Sequence, residues 1–333
     1  MRPSTRTRSR SSGSGRTGAV VIAVVAACGG DGGVDPDASN GDLDAPLTDS
    51  GGPDGPAVDP LIGVGQVTMV GSGYTFTEGP QWRAATGDFL FSDIQGNTIY
   101  RWTGTGAPVV FRTPSGNSNG LAVDTTGTLL ACEHGTRRVS RGDGANGTLV
   151  VERFEGLRLN SPNDVTVRGD GTIYFTDPPY GIQAAQRELA FMGVFRIAPG
   201  GAVTAEHRGA LTDRPNGIAL SPDASLLYVG DSEAHLVRVF DVAGDGSLSG
   251  RRTFTATAST PDGMAVDAAG NLFVTTSSGV EVYAPSGTRW GTLPVPMQPS
   301  NVAFGGAGDR TLLITARSAV YRVDLAGPGL PRN

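Results

Sequence analysis

The sequence predicts an all-β protein, a six-bladed β-propeller, on three observations. One short phrase recurs six times: Glu78-Gly-Pro-Gln-Trp, Asn119-Gly-Leu-Ala-Val, Asn163-Asp-Val-Thr-Val, Asn216-Gly-Ile-Ala-Leu, Asp262-Gly-Met-Ala-Val and Asn301-Val-Ala-Phe. Each copy is followed, after a turn, by an apolar strand: Phe89-Leu-Phe, Leu129-Leu-Ala, Ile173-Tyr-Phe, Leu226-Leu-Tyr-Val, Leu272-Phe-Val and Leu312-Leu-Ile. The leading residues lie 41, 44, 53, 46 and 39 positions apart, and a period of roughly 40–50 residues made of strands and turns alone is that of propeller blades.

The predicted propeller spans residues 63–328. Gln66-Val-Thr-Met-Val precedes the first repeat and is expected to complete the last blade, which closes the ring and removes exposed sheet edges. Asp124-Thr-Thr-Gly-Thr, Gly169-Asp-Gly-Thr, Ser221-Pro-Asp-Ala-Ser and Asp267-Ala-Ala-Gly-Asn sit at matching offsets in their repeats. Gly supplies positive φ in such turns and Asp side chains cap them. Further strands, among them Thr98-Ile-Tyr-Arg-Trp, Leu236-Val-Arg-Val-Phe and Gly279-Val-Glu-Val-Tyr, alternate polar and apolar residues as half-exposed outer strands do. No helix of useful length is expected. Gln183-Ala-Ala-Gln-Arg-Glu-Leu, in the long third repeat, suits a short turn within a lid or mouth loop.

Composition agrees. Gly (50 residues) and Pro (22) are abundant and charged residues make up only 17% of the chain, which suits a turn-rich β protein and argues against a helical bundle. A net charge of −6, with no basic patch interleaved with aromatics, argues against a nucleic-acid partner. Three His and two Cys leave little material for a transition-metal site or a disulfide framework.

The first 28 residues read as a signal peptide with a lipobox. Arg2, Arg6, Arg8, Arg10 and Arg16 form a basic region, and Gly18 to Ala27 an apolar stretch too short to span a bilayer. The stretch ends in Val25-Ala-Ala-Cys28, which resembles a bacterial lipobox. Export is expected either way: as a lipoprotein anchored at Cys28, in the periplasm or on the outer surface, or after plain cleavage near Ala27. The membrane would then be met only through the N-terminal lipid. Residues 29–62, rich in Gly, Pro and Asp, read as a disordered linker unable to offset its own ordering entropy.

If each repeated phrase occupies the same place in its blade, its leading side chain reaches the propeller axis, and two carboxylates and four amides face one another around a channel. Asn–Gly pairs alone are common turn formers, but six copies in register, two of them acidic, point to a hard-cation site. The fold class is then a six-bladed β-propeller with a central metal-binding channel. Calcium takes 6–8 oxygen ligands and needs neither nitrogen nor sulfur; Zn2+, Mg2+ and Mn2+ are the alternatives. Cys132, in an apolar strand, reads as a small buried hydrophobe. His134 either faces the mouth of the site or is a loop histidine satisfied by backbone. There is no Gly-x-Ser-x-Gly elbow for serine hydrolase chemistry.

The segments Thr77-Glu-Gly-Pro-Gln-Trp, Leu90-Phe-Ser-Asp-Ile-Gln-Gly-Asn, Cys132-Glu-His-Gly-Thr-Arg-Arg-Val, Leu159-Asn-Ser-Pro-Asn-Asp-Val, Tyr174-Phe-Thr-Asp-Pro-Pro-Tyr-Gly, Arg214-Pro-Asn-Gly-Ile-Ala and Pro261-Asp-Gly-Met occur in this order. Together they resemble the gluconolactonase branch of the senescence-marker protein (SMP-30), gluconolactonase and luciferin-regenerating enzyme family, over roughly residues 66–325. The resemblance implies a divalent metal, usually calcium, in the channel, and hydrolysis of a sugar lactone such as glucono-1,5-lactone, a carboxylic ester, by metal-polarised attack of water. By motif match Glu78, Asn216 and Asp262 correspond to metal ligands and Asn163 to a residue binding metal or substrate. Asn119 is a candidate substrate contact, as is His134, and Asp262 is the candidate general base. Asn301 sits in the weakest copy and receives no role. A monomer is expected. The alternatives are another calcium-dependent hydrolase on the same scaffold, phosphotriesterase-like, and a non-catalytic ligand-binding propeller.

Overall fold

The structure is a computed structural model and describes residues 58–145 and 147–331. The expected signal peptide with Cys28, and the linker as far as residue 57, lie outside the described residues.

Six four-stranded antiparallel sheets carry the chain, and each is one blade. Blade 1 is Thr77–Arg83, Asp88–Asp93, Thr98–Trp102 and Val109–Arg112; blade 2 is Ser118–Val123, Leu129–Glu133, Arg138–Arg141 and Thr148–Val151. Blade 3 is Val165–Val167, Ile173–Asp177, Met192–Ile197 and Val203–Gly209; blade 4 is Pro215–Leu220, Leu226–Asp231, Leu236–Val242 and Leu248–Ala256. Blade 5 is Met264–Val266, Leu272–Thr276, Gly279–Tyr283 and Arg289–Leu293. Blade 6 takes Asn301–Gly305, Thr311–Ala316 and Ala319–Asp324 from the end of the chain and Thr68–Ser72 from its start. Thr68–Ser72 pairs with Ala319–Asp324, Thr68 opposite Arg322 and Ser72 opposite Ala319. The strand expected to close the ring therefore does so. Thr77 adds to the seam, its N–H donating to Arg317 O (2.7 Å) and its hydroxyl to Ala319 O (2.9 Å).

The core lies between blades. Each pair of neighbouring blades encloses one apolar cluster among the described residues. In blade 1, Phe89 and Phe91 pack toward Leu313 and Val320 of blade 6, while Leu90 turns the other way, toward Leu121 and Leu129 of blade 2. Side chains alternate across a strand, so a second strand that fills two cores must be apolar at every position. This is why these strands read as unbroken apolar runs. Truncating Leu90, which is fully buried, to Ala is expected to cost about 2–5 kcal/mol.

The third strands are less exposed than the alternating pattern suggests. Gly279–Tyr283 is buried throughout, because Glu281 is sheltered with the Tyr283 hydroxyl, which donates to its carboxylate. In blade 3 the link between second and third strands runs from 178 to 191 and holds a 3-10 turn at Ala184–Gln186. The corresponding links in the other blades are 94–97, 134–137, 232–235, 277–278 and 317–318.

Candidate functional site

The innermost strands lie side by side in a closed ring, blade 1 to blade 6 and back. The leading residues of the repeat stand at the entry to these strands: Glu78, Asn119, Asn216 and Asn301 within the first two residues, Asn163 and Asp262 two residues before. The glycine after four of them answers a steric demand of that ring. A methyl group at Gly79 would lie 2.1 Å from Asn119 O, at Gly120 2.6 Å from Asn163 O, at Gly217 2.3 Å from Asp262 O and at Gly263 2.0 Å from Asn301 Cγ. Each glycine thus leaves room for the axial residue of the next blade. Only Gly79 of the four has a positive φ, so close approach rather than turn geometry accounts for the motif. Where Asp164 replaces glycine, its carboxylate accepts the Val165 N–H (2.9 Å) and, across the blade boundary, the Ile218 N–H (3.2 Å).

Hydroxyls on the second strands and inter-blade backbone bonds fasten the ring. Ser92 donates to Asn119 O (2.8 Å), Thr176 to Asn216 O (2.7 Å) and Thr275 to Ser300 O (2.8 Å). The N–H groups of Gly120, Gly217 and Gly263 donate to Asn163 O, Asp262 O and Ser300 O. The axial side chains are therefore held by rigid backbone rather than by loops.

The axial residues divide into two arcs. Across blades 2 to 4 the amides form a directed chain. Asn119 Nδ2 donates to Asn163 Oδ1, Asn163 Nδ2 to Asn216 Oδ1, Asn216 Nδ2 to Ser232 Oγ (3.0 Å), and the Ser232 hydroxyl to Pro261 O (2.7 Å). His134 follows the second strand of blade 2, and its Nε2 lies 3.3 Å from both Asn119 Nδ2 and Asn163 Oδ1. Burial pushes its imidazole down to about 4 despite the Asn163 hydrogen bond, so the ring is neutral at ordinary pH.

The other arc is acidic. Glu78 Oε2 accepts the Gly79 N–H (2.9 Å) and Asn301 Nδ2 (3.1 Å). Asn301 turns its own oxygen back to the Val302 N–H (2.8 Å), so it serves Glu78 as a donor. Burial, then the charge of Asp262, push Glu78 well above the usual carboxylate range. Asp262, partly buried, is pushed up to about 7 by burial and by Asp164, against the Asn216 hydrogen bond and the Arg317 charge. Two desolvated carboxylates that disfavour each other's charge form a site that a divalent cation would relieve.

The donor set suits such an ion. Glu78 and Asp262 supply two negative charges, and Asn216 supplies an amide oxygen with a second lone pair beyond the one the Asn163 N–H occupies. The Asn163 oxygen, which also faces His134 Nε2, would join them by releasing that contact. Among the described residues no three His, Cys, Asp or Glu side chains gather into a metal cluster; the axial set is carboxylate and amide instead. The structure brings together all the expected residues, Glu78, Asn119, His134, Asn163, Asn216 and Asp262, on this one axis.

Four further residues belong here. Asp164, 1% exposed, lies near both acids. Ser232 and Arg317 occupy the position of His134 in blades 4 and 6, directly after the second strand. The second strands of blades 1 to 4 all end in an acid, Asp93, Glu133, Asp177 and Asp231, so stepping one residue past each strand end marks mouth positions, and the same step gives Arg317 in blade 6. Tyr180, in the blade 3 insertion, falls outside the repeat.

Comparison with known proteins places this geometry. Residues 76–318 match the model of the SMP-30/Gluconolactonase/LRE-like region. The chain is 34% identical over 301 residues to a gluconolactonase of Zymomonas mobilis, covering 80% of this chain and 84% of that one. It is 28% identical over 289 residues to the pentonolactonase XacC of Haloferax volcanii, covering 76% and 92%. A solved gluconolactonase structure from Xanthomonas campestris superimposes with a TM-score of 0.73 at 34% identity, over 78% of this chain and 89% of that one. On the match over most of its propeller, the chain belongs to the SMP-30/gluconolactonase/LRE-like family.

Proposed function

We propose that this protein is a lactone hydrolase that opens a sugar lactone such as glucono-1,5-lactone, with a divalent cation, calcium first, held at the axis. The observation that carries the reading is the pairing of Glu78 with Asp262 in a desolvated ring of amides. The relatives named gluconolactonase and pentonolactonase support the reaction class.

Glu78, Asp262, Asn163 and Asn216 would hold the cation, and Asn301 orients Glu78. When bound, the ion supplies a Lewis acid for the lactone carbonyl and a countercharge for the oxygen that gains electron density. Asp262 accepts a proton from the attacking water; it is the axial acid that keeps an open face. Water oxygen bonds the acyl carbon, the bond to the ring oxygen breaks, and that oxygen takes the proton back from Asp262 and leaves as the hydroxyl of the open-chain acid. The neutral His134 and the amide of Asn119 are placed to hydrogen-bond the substrate. The leader supports export, with Cys28 as the lipid anchor.

The test is acid release from glucono-1,5-lactone by the full chain, with calcium and after chelation, against the spontaneous rate. Calcium-dependent turnover is expected. No turnover of this or other lactones, with turnover of a phosphotriester instead, would replace the reading with the related hydrolase.

A further inference from the structure

The blade 3 insertion brings one side chain to the axial site from outside the repeat. Tyr180 is 48% exposed, yet its hydroxyl lies near the side chains of Ser232, Asn216 and Asp262. Its backbone is clamped. The Ser161 hydroxyl, fully buried, accepts the Gly181 N–H (2.8 Å) and donates to Pro178 O (2.7 Å). Gly181 is pressed so closely on the floor that a methyl group there would lie 2.7 Å from His134 Cβ and 2.9 Å from Ser161 Cβ. The 14-residue link from 178 to 191 is thus tied down at its first turn, against a residue of the site, and then anchored by Leu189 and Phe191 in the core between blades 2 and 3.

We propose that Tyr180 is a substrate-contact residue that selects hydroxylated lactones, its phenol hydroxyl hydrogen-bonding a ring hydroxyl of the substrate over the axis. The placement fits three features. The hydroxyl stands beside the candidate base, so it meets whatever lies on Asp262. The ring is half-exposed, so a ligand can reach it. Ser232 and Asn216 are bonded to one another and to Pro261 O without it, so turning the phenol to a substrate strands no buried group. The inference rests on the lactone hydrolase reading.

The test is Tyr180→Phe in the full, calcium-loaded protein, assayed on glucono-1,5-lactone and on δ-valerolactone, which has no ring hydroxyl. Gluconate binding by calorimetry gives a readout without turnover. Losing one hydrogen bond to a substrate hydroxyl predicts roughly a tenfold rise in KM for the gluconolactone, a smaller change for δ-valerolactone, and a similar weakening for gluconate. Calcium affinity should not move. Unchanged KM and gluconate affinity, or equal losses on both lactones, would overturn the role. If the wild type opens no lactone but Tyr180→Phe still weakens gluconate binding, the contact stands and the hydrolase reading falls. Gluconate bound by neither protein would overturn both.

Discussion

The two arcs of the axial ring are built on the same strand position and behave oppositely. On the amide arc, Asn119, Asn163 and Asn216 satisfy one another and end on Ser232. On the acidic arc, Glu78 and Asp262 are desolvated and the charge of Asp262 raises Glu78 further, with Asn301 and the Gly79 N–H to help Glu78 and the Asn216 amide and the Arg317 charge to help Asp262. One arc is complete as it stands and the other asks for positive charge. A repeat fold supplies the geometry six times, and the residue placed at each copy divides the labour: amides set shape, acids set charge.

The largest effect should come from the open acid. Asp262→Asn keeps shape and removes the base, so kcat should fall roughly 10³-fold, with a melting temperature close to wild type. Turnover within tenfold of wild type would remove Asp262 from that role. Next is the seam where the arcs meet. Gly217→Ala drives a methyl group against Asp262 O and should cost about 3 kcal/mol in denaturant unfolding. Gly169→Ala, where nothing lies within 4 Å, should be near neutral. Equal, small effects at both would contradict the close-approach explanation of the motif.

The acidic arc also fixes a pH dependence. Asp262 rises from 3.8 to about 7 on folding. Its contribution to stability is fully present below about pH 4 and lost as pH rises through 7. Asp177, also pushed up to about 7 by burial, acts in the same direction. Calcium favours the ionised axial acids, so the calcium-induced rise in melting temperature should grow from pH 5 to pH 8. A rise independent of pH would argue against binding at these carboxylates. The smallest effect belongs to the amide arc. His134→Gln keeps a neutral hydrogen-bonding group and should raise KM only about threefold, leaving calcium affinity unchanged. A loss of calcium affinity would make His134 part of the cation site.

Much of this was legible in the chain because the repeat is rigid. A leading residue every 39–53 positions lies at the entry to an inner strand fixed by inter-blade hydrogen bonds, so register alone carried Glu78, Asn119, Asn163, Asn216 and Asp262 to one axis. What register does not carry is side-chain direction. Asn301 is in the ring, yet its oxygen turns to its own backbone, a choice set by contact with Glu78. Ser232 and Arg317 were readable in principle, one step past the second strand, by the rule that also places His134. Tyr180 stood in the segment Tyr174–Gly181 that carries the resemblance, but its place at the site was not readable: its insertion matches no other blade, and its position depends on Ser161 and Gly181, whose contacts form only after folding. The motif glycines also read as turn formers until the neighbouring strands showed what fills their missing Cβ positions.

The most direct test is a calorimetric calcium titration of the full chain at pH 6, in two buffers of different ionisation enthalpy, for wild type and Glu78→Gln. With both axial acids inclined to hold protons at that pH, one calcium per chain should bind with proton release, and affinity should weaken roughly 10–100-fold in the variant. Calcium bound with no proton release and with equal affinity by Glu78→Gln, or no calcium bound at all, would contradict it.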